Sequence, residues 1–119
     1  MKPSSHTDSN RSDFVLTVLE WLDSCDVCPE SVDQTFSILS HRRRRLLLEV
    51  MRTYGEELTL PDAAEEVTKL EVGAELAAIS AERVAEVYIS LYHDHLPQLV
   101  DGGLLEYDQE RDLVAPSGI

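Results

Sequence analysis

The sequence predicts a mainly α-helical protein that closes on a small β-hairpin, and three observations carry that prediction. Apolar residues recur at helical spacing, as in Phe14, Val18, Trp21 and Leu22. Start and stop signals cut the pattern into separate helices, among them Gly55 behind Tyr54 and the Asp101-Gly102-Gly103 stop. Beyond that stop the pattern changes to two short strand-like runs around a polar turn.

Residues 1–12, rich in Ser, Asp and Asn, read as a disordered tail. Residues 13–30 read as an N-terminal helix, up to Ser24, and a turn that holds Cys25, Cys28 and Pro29. Residues 31–116 read as one further domain. It opens on Ser31-Val32-Asp33-Gln34, a capping box in which serine and glutamine each satisfy an orphan backbone donor. Phe36, Ile38 and Leu39 follow, and the chain bends near Ser40-His41, because a continuous helix would drive arginines into the apolar stripe. The next helix, from Arg42 to Tyr54, buries Leu46, Leu47, Val50 and Tyr54 before Gly55 stops it.

Leu58-Thr59-Leu60 alternates like a small strand. Pro61 at a first helical position, backed by Asp62, Glu65 and Glu66, starts a helix that buries Ala63, Ala64, Val67 and Leu70. Residues 71–79 form an alanine-rich connection. Ser80 then caps a long helix that runs to about Val100. A uniform helical projection turns Ala81, Val84, Ala85, Tyr88, Tyr92, Leu96 and Leu99 inwards, and Arg83, Glu86, Ser90, His93 and Pro97 outwards. Pro97 removes a backbone donor and is expected to kink this helix. Residues 104–107 and 112–115 read as the strands of a terminal hairpin, joined by the polar run Asp108-Gln109-Glu110-Arg111.

With 119 residues, 43% of them hydrophobic, the chain can bury one modest core. No run approaches the ~18 apolar residues of a membrane span, and the N-terminus lacks a secretory apolar segment, so a cytoplasmic protein is expected. Charge is the loudest signal: 23 acidic against 10 basic residues leave a net charge of −13. Only Lys2 and Lys69 are lysines. An acidic, lysine-poor surface is what proteins working in molar salt tend to show. Near 1 M salt the Debye length falls to about 3 Å, so global negative charge does not forbid contact with nucleic acid.

The order helix, short strand, helix, longer helix, hairpin is the connectivity of a winged helix-turn-helix domain, here with an extra N-terminal helix. In that arrangement the helix before the hairpin enters the major groove and the hairpin touches phosphate or minor groove. The candidate DNA-binding residues are therefore Ser90, His93 and Asp94 on the long helix, with Arg83 near its start. Arg42, Arg44 and Arg45, from the one basic cluster, are candidates for phosphate contact, against a competing reading as intramolecular salt bridges. Arg43 projects towards the apolar stripe and is expected to pair with a carboxylate, and His95 leans inwards as a hydrogen-bonded core histidine. Phe14, Val18, Trp21 and Leu22 exceed what so small a core can cover, which points to a homodimer.

Neither a phosphate-cradling glycine loop nor a nucleophile beside a base is present, so no enzyme activity and no cofactor is expected. Cys25 and Cys28 form a lone C-x-x-C. They read as two unliganded thiols, with zinc binding or redox sensing as the alternatives. His93 and His95, at i and i+2, point apart and make a poor second ligand pair, and no metal site is assigned.

Two stretches carry a family resemblance. Ile89-Ser90-Leu91-Tyr92-His93-Asp94-His95-Leu96-Pro97-Gln98-Leu99 with Gly103-Leu104-Leu105-Glu106-Tyr107-Asp108, and Ile38-Leu39-Ser40 followed by the arginine run, resemble a haloarchaeal family of winged-helix proteins of unknown function. More distantly, the helix end leading into Gly103-Leu104 looks like the recognition-helix-to-wing junction of ArsR-type repressors. The resemblance spans roughly residues 31–115 and implies a transcriptional regulator of a salt-adapted archaeon that binds double-stranded DNA. The alternative is a winged-helix module for protein–protein contact.

Overall fold

In the computed structural model, backbone is described for residues 3–119 and side chains from residue 10 onward. Helix α1 (Pro3–Ser24) begins well before Asp13, so residues 3–12 are helical where a tail was expected. The first two residues of that expected tail lie outside the described residues. Helix α2 (Pro29–Leu39) likewise starts earlier than its anticipated capping box. The Val32 N–H donates to the Cys28 carbonyl at 3.2 Å, so the first helical bond closes ahead of Ser31. The chain divides into two compact units, Met1–Asp33 and Gln34–Ile119, with the division inside α2.

The second unit is mainly helical with a small three-stranded antiparallel sheet. Helix α3 (Arg42–Tyr54) ends at Gly55, whose φ of 69° lets its N–H return to the Met51 carbonyl. Strand β1 (Leu58–Thr59) leads directly into α4 (Leu60–Val72), where Thr59 accepts a hydrogen bond from the Asp62 N–H and Pro61 occupies the first turn. A single 3₁₀ turn, Leu76–Ala78, occupies the alanine-rich connection. Ser80 then caps α5 (Ala81–Ser90) through the Arg83 N–H. One π-helical turn (Leu91–His95) joins α5 to α6 (Leu96–Asp101), and strands β2 (Leu105–Asp108) and β3 (Leu113–Pro116) finish the chain.

β3 lies in the middle of the sheet, in the order β1-β3-β2. Leu58 faces Val114 across one edge and Tyr107 faces Val114 across the other. Asp112, at φ 53°, makes the left-handed step that returns the hairpin into β3.

The core gathers Leu47, Val50 and Met51 of α3 with Leu60, Ala63, Ala64 and Val67 of α4. Val87, Leu91, Leu96 and Leu99 close it from the α5–α6 side, and Leu105 and Val114 from the sheet. Two expected core residues, Tyr54 and Leu70, are exposed instead, and Met51 and Thr68 take the interior positions. On the long helix the expected inner stripe is also corrected: Ala81 and Ala85 are exposed, while Val87 and Leu91 are fully buried.

The π turn explains the register. Pro97 has no N–H to give and its ring crowds the carbonyl four residues back. Just ahead of it the Leu96 N–H bonds to the Leu91 carbonyl, an i→i−5 link that absorbs one extra residue. Without that residue, uniform helical spacing from Leu91 would bring Gln98 inwards; with it, Leu99 is buried and Gln98 exposed.

Leu91, fully buried where α5 meets the π turn, reports on this packing. Leu91→Ala is expected to lower the unfolding free energy by about 2–5 kcal/mol in chemical denaturation. The same exchange at half-exposed Leu70 should cost well under half as much.

Candidate nucleic-acid interface

The outward face of α5, the π turn and α6 is held in place from below by ion pairs and from the side by an aromatic network. Glu71, near the C-terminus of α4, receives two arginines. Arg43 of α3 donates in bidentate fashion, Nε to Oε1 at 2.6 Å and Nη2 to Oε2 at 2.9 Å. Arg83 of α5 donates through Nη2 to Oε2 at 2.7 Å. The Glu71 side chain is only 11% exposed. The Arg43 hydrogen bonds, reinforced by the one from Arg83, hold its carboxyl at about 2. One carboxylate therefore ties three helices, and Arg43 finds the carboxylate partner that its inward position implies.

Arg44 corrects the sequence reading. It was expected among the phosphate-contacting residues, but it is buried, with Nε donating to His95 Nδ1 at 3.2 Å and Nη1 to the Ser37 carbonyl at 3.1 Å. Its guanidinium is enclosed because α3 and the π turn pack against each other at that point. His95 is buried as expected, and burial first, then the Arg44 charge, pushes its imidazole below the ordinary histidine value. It serves Arg44 as a neutral acceptor.

The hairpin is docked by tyrosines. Tyr88 OH donates to Asp112 Oδ2 at 3.2 Å, and Tyr107 OH donates to Asp112 Oδ1. Burial, then Asp112, pushes both phenols upward. Tyr92 stacks with Tyr88 at a centroid distance of 6.4 Å, meets the Tyr107 ring edge-on at 6.2 Å, and accepts a hydrogen bond from Gln109. An open groove results between helix and hairpin, lined by Tyr92, His93, Leu96, Pro97, Val100, Asp101, Tyr107 and Gln109. At the hairpin tip Asp108 accepts from the Glu110 and Arg111 N–H groups, which closes a tight turn.

The expected readers occupy one continuous stretch of this helix. His93 and Asp94 are exposed and Ser90 is half-buried. Arg83 is half-buried and committed to Glu71. The exposed neighbours Glu82, Glu86 and Asp101 make the face acidic. On α3, exposed Arg42 and Arg45 line a shallow groove with Arg52, Glu49, Leu39 and Leu46. Arg45 donates to the Leu39 carbonyl, and Arg42 and Arg52 make no ion pair among the described residues.

In the other unit, Phe14 and Trp21 of the expected dimer face are 69% and 61% exposed, while Val18 and Leu22 are half-buried. Val15, Leu16 and Leu19 are exposed beside them. Sequence reasoning missed the roles of Glu71, Tyr107 and Asp112. The first lies where a loop was expected, and the other two meet only through the hairpin register.

A mainly helical unit with an exposed helix set against a short hairpin is thus the class of surface that this chain presents. The chain belongs to the family described as a domain of unknown function (DUF7344), whose model matches residues 36–115. No curated protein and no solved structure matches it.

Glu71 sets an expected pH dependence. Its carboxyl titrates at about 2 in the folded chain and at about 4.5 without its partners, so the stability it contributes is present above 4.5 and is lost as pH falls towards 2. Glu71→Gln should lower stability at pH 7 and flatten the acid limb between those values, as followed by thermal unfolding against pH. A variant whose acid limb matched the parent's would show that Glu71 does not carry it.

Proposed function

We propose that this chain is a winged-helix DNA-binding transcriptional regulator of a salt-adapted archaeon, related in fold to ArsR-type repressors and active as a homodimer. The observation that carries the proposal is topological. β1 lies between α3 and α4 in the chain yet pairs with the second strand of the hairpin, and the helix before that hairpin keeps its outer face exposed. That connectivity supports the winged-helix reading. In this reading α5 to α6 enters the major groove, Ser90, His93 and Asp94 face base edges, and the hairpin and Arg42 with Arg45 meet phosphates. Exposed Phe14 and Trp21 supply the apolar surface for a second subunit.

One observation favours a second reading, a winged-helix module for protein contact. Glu82, Glu86, Asp94 and Asp101 are exposed along the presumed reading helix, whereas Arg83 is bound to Glu71. Such a face suits a basic or neutral protein surface better than a phosphate backbone at low salt.

Selection of random duplexes by the purified full chain, at the molar salt its composition suits, separates the two. Enrichment of a shared motif is expected. Ser90→Ala with His93→Ala should then reduce affinity for that motif by about tenfold or more. Arg42→Ala should weaken all duplexes alike and reduce the salt slope by about 1. Selected pools without a motif would overturn the DNA reading in favour of protein contact.

A further inference from the structure

The turn Cys25-Asp26-Val27-Cys28 plays no part in the function proposed above, yet its two thiols differ in environment. Both lie in the unit that ends at Asp33. Cys25 is half-buried, and its N–H still donates to the Leu22 carbonyl at 3.1 Å, at the end of α1. Cys28 is exposed and stands at the start of the 11-residue α2, with its carbonyl accepting the Val32 N–H. Its Sγ lies 3.1 Å from Ser31 Oγ. Asp26 and Val27 between them are exposed and non-helical, so the loop can close without unwinding either helix. Such a tetrapeptide can bring its end Cα atoms within about 7 Å, which reaches the window of about 4.4–6.8 Å that a disulfide spans. Among the described residues no group of three or more His, Cys, Asp or Glu side chains could hold a metal ion, so the pair lacks the further ligands of a structural zinc site.

We infer that Cys25 and Cys28 form a peroxide-reactive dithiol, in which exposed Cys28 is oxidised first and half-buried Cys25 resolves it to an intramolecular disulfide. The oxidant class is a hydroperoxide. Cys28, as thiolate, attacks the terminal oxygen; the O–O bond breaks, an alcohol or water leaves with the proton, and Cys28 becomes a sulfenic acid. The Cys25 sulfur then attacks Cys28 Sγ, the S–S bond forms, and the S–O bond breaks as hydroxide takes the Cys25 proton and leaves as water. Two thiols and one hydroperoxide thus give one disulfide, one alcohol or water, and one further water. A dithiol reductant reverses the oxidation.

Two features favour this order of events. Cys28 is open to solvent, so the oxidant reaches it without any rearrangement. The Ser31 hydroxyl and backbone also draw its thiol below the ordinary value, which raises the nucleophilic fraction.

The inference is independent of the DNA reading, since its readouts involve no nucleic acid. The fully reduced chain is treated with hydrogen peroxide, quenched by alkylation and weighed by mass spectrometry. Loss of both thiols, with the mass falling by two hydrogens and no link between chains, is expected. Cys25→Ser should stop at a sulfenic acid on Cys28 that a dimedone-type reagent captures. Cys28→Ser should slow peroxide consumption by about tenfold or more, and Ser31→Ala by about threefold, with circular dichroism confirming the fold. Equal peroxide rates for the two cysteine variants, the same rate in the urea-unfolded chain, or a disulfide between chains as the main product would each overturn it.

Discussion

Three helices of the second unit converge on one carboxylate, and the surface they present depends on that meeting. Glu71 is drawn from the end of α4 towards Arg43 on α3 and Arg83 on α5. A carboxylate so little exposed is stable there only because charged donors surround it, and removing a partner would leave a costly charge behind. The apolar core supplies most of the folding free energy but is tolerant of small slides between helices. Directional, bidentate hydrogen bonds are not, so they fix the helices in register. Arg83 is thereby spent on structure at the start of the helix whose outer face is the candidate site.

The second constraint is the π turn. It reconciles an apolar stripe with Pro97, and it places His95 inwards where Arg44 can donate to it. The same widening leaves His93 and Asp94 exposed just before the proline. π turns recur at functional positions because they re-aim side chains at the cost of one regular hydrogen bond. Here the re-aimed stretch lies next to the hairpin, which Tyr88, Tyr92, Tyr107 and Asp112 lock against it. Helix and hairpin consequently form one surface of fixed geometry, which suits recognition of a rigid partner better than an adaptable one.

Much of this architecture is legible locally. Gly55 and Ser80 end and start helices for reasons contained in a few residues, and the hairpin is announced by Gly102-Gly103 and its polar turn. Helix burial is harder to read, because a projection at constant spacing cannot see an inserted π residue. That is why Val87 and Leu91 replace Ala81 and Ala85 in the core. The arginine run is ambiguous for a related reason: four successive helical residues point in four directions, and only packing decides that Arg43 and Arg44 turn inwards while Arg42 and Arg45 stay outside. The early start of α1 was hidden by a polar composition that suits a tail and an exposed helix equally well.

The proposal that the exposed face of α5 to α6 reads DNA is tested most directly by genome-wide occupancy of the tagged chain in the cell that carries it. Discrete peaks sharing one motif are expected, and they should disappear when Ser90 and His93 are replaced although the protein remains at its normal level. A flat profile from a folded, abundant protein would contradict it, and would leave the acidic helix face as a docking surface for another protein.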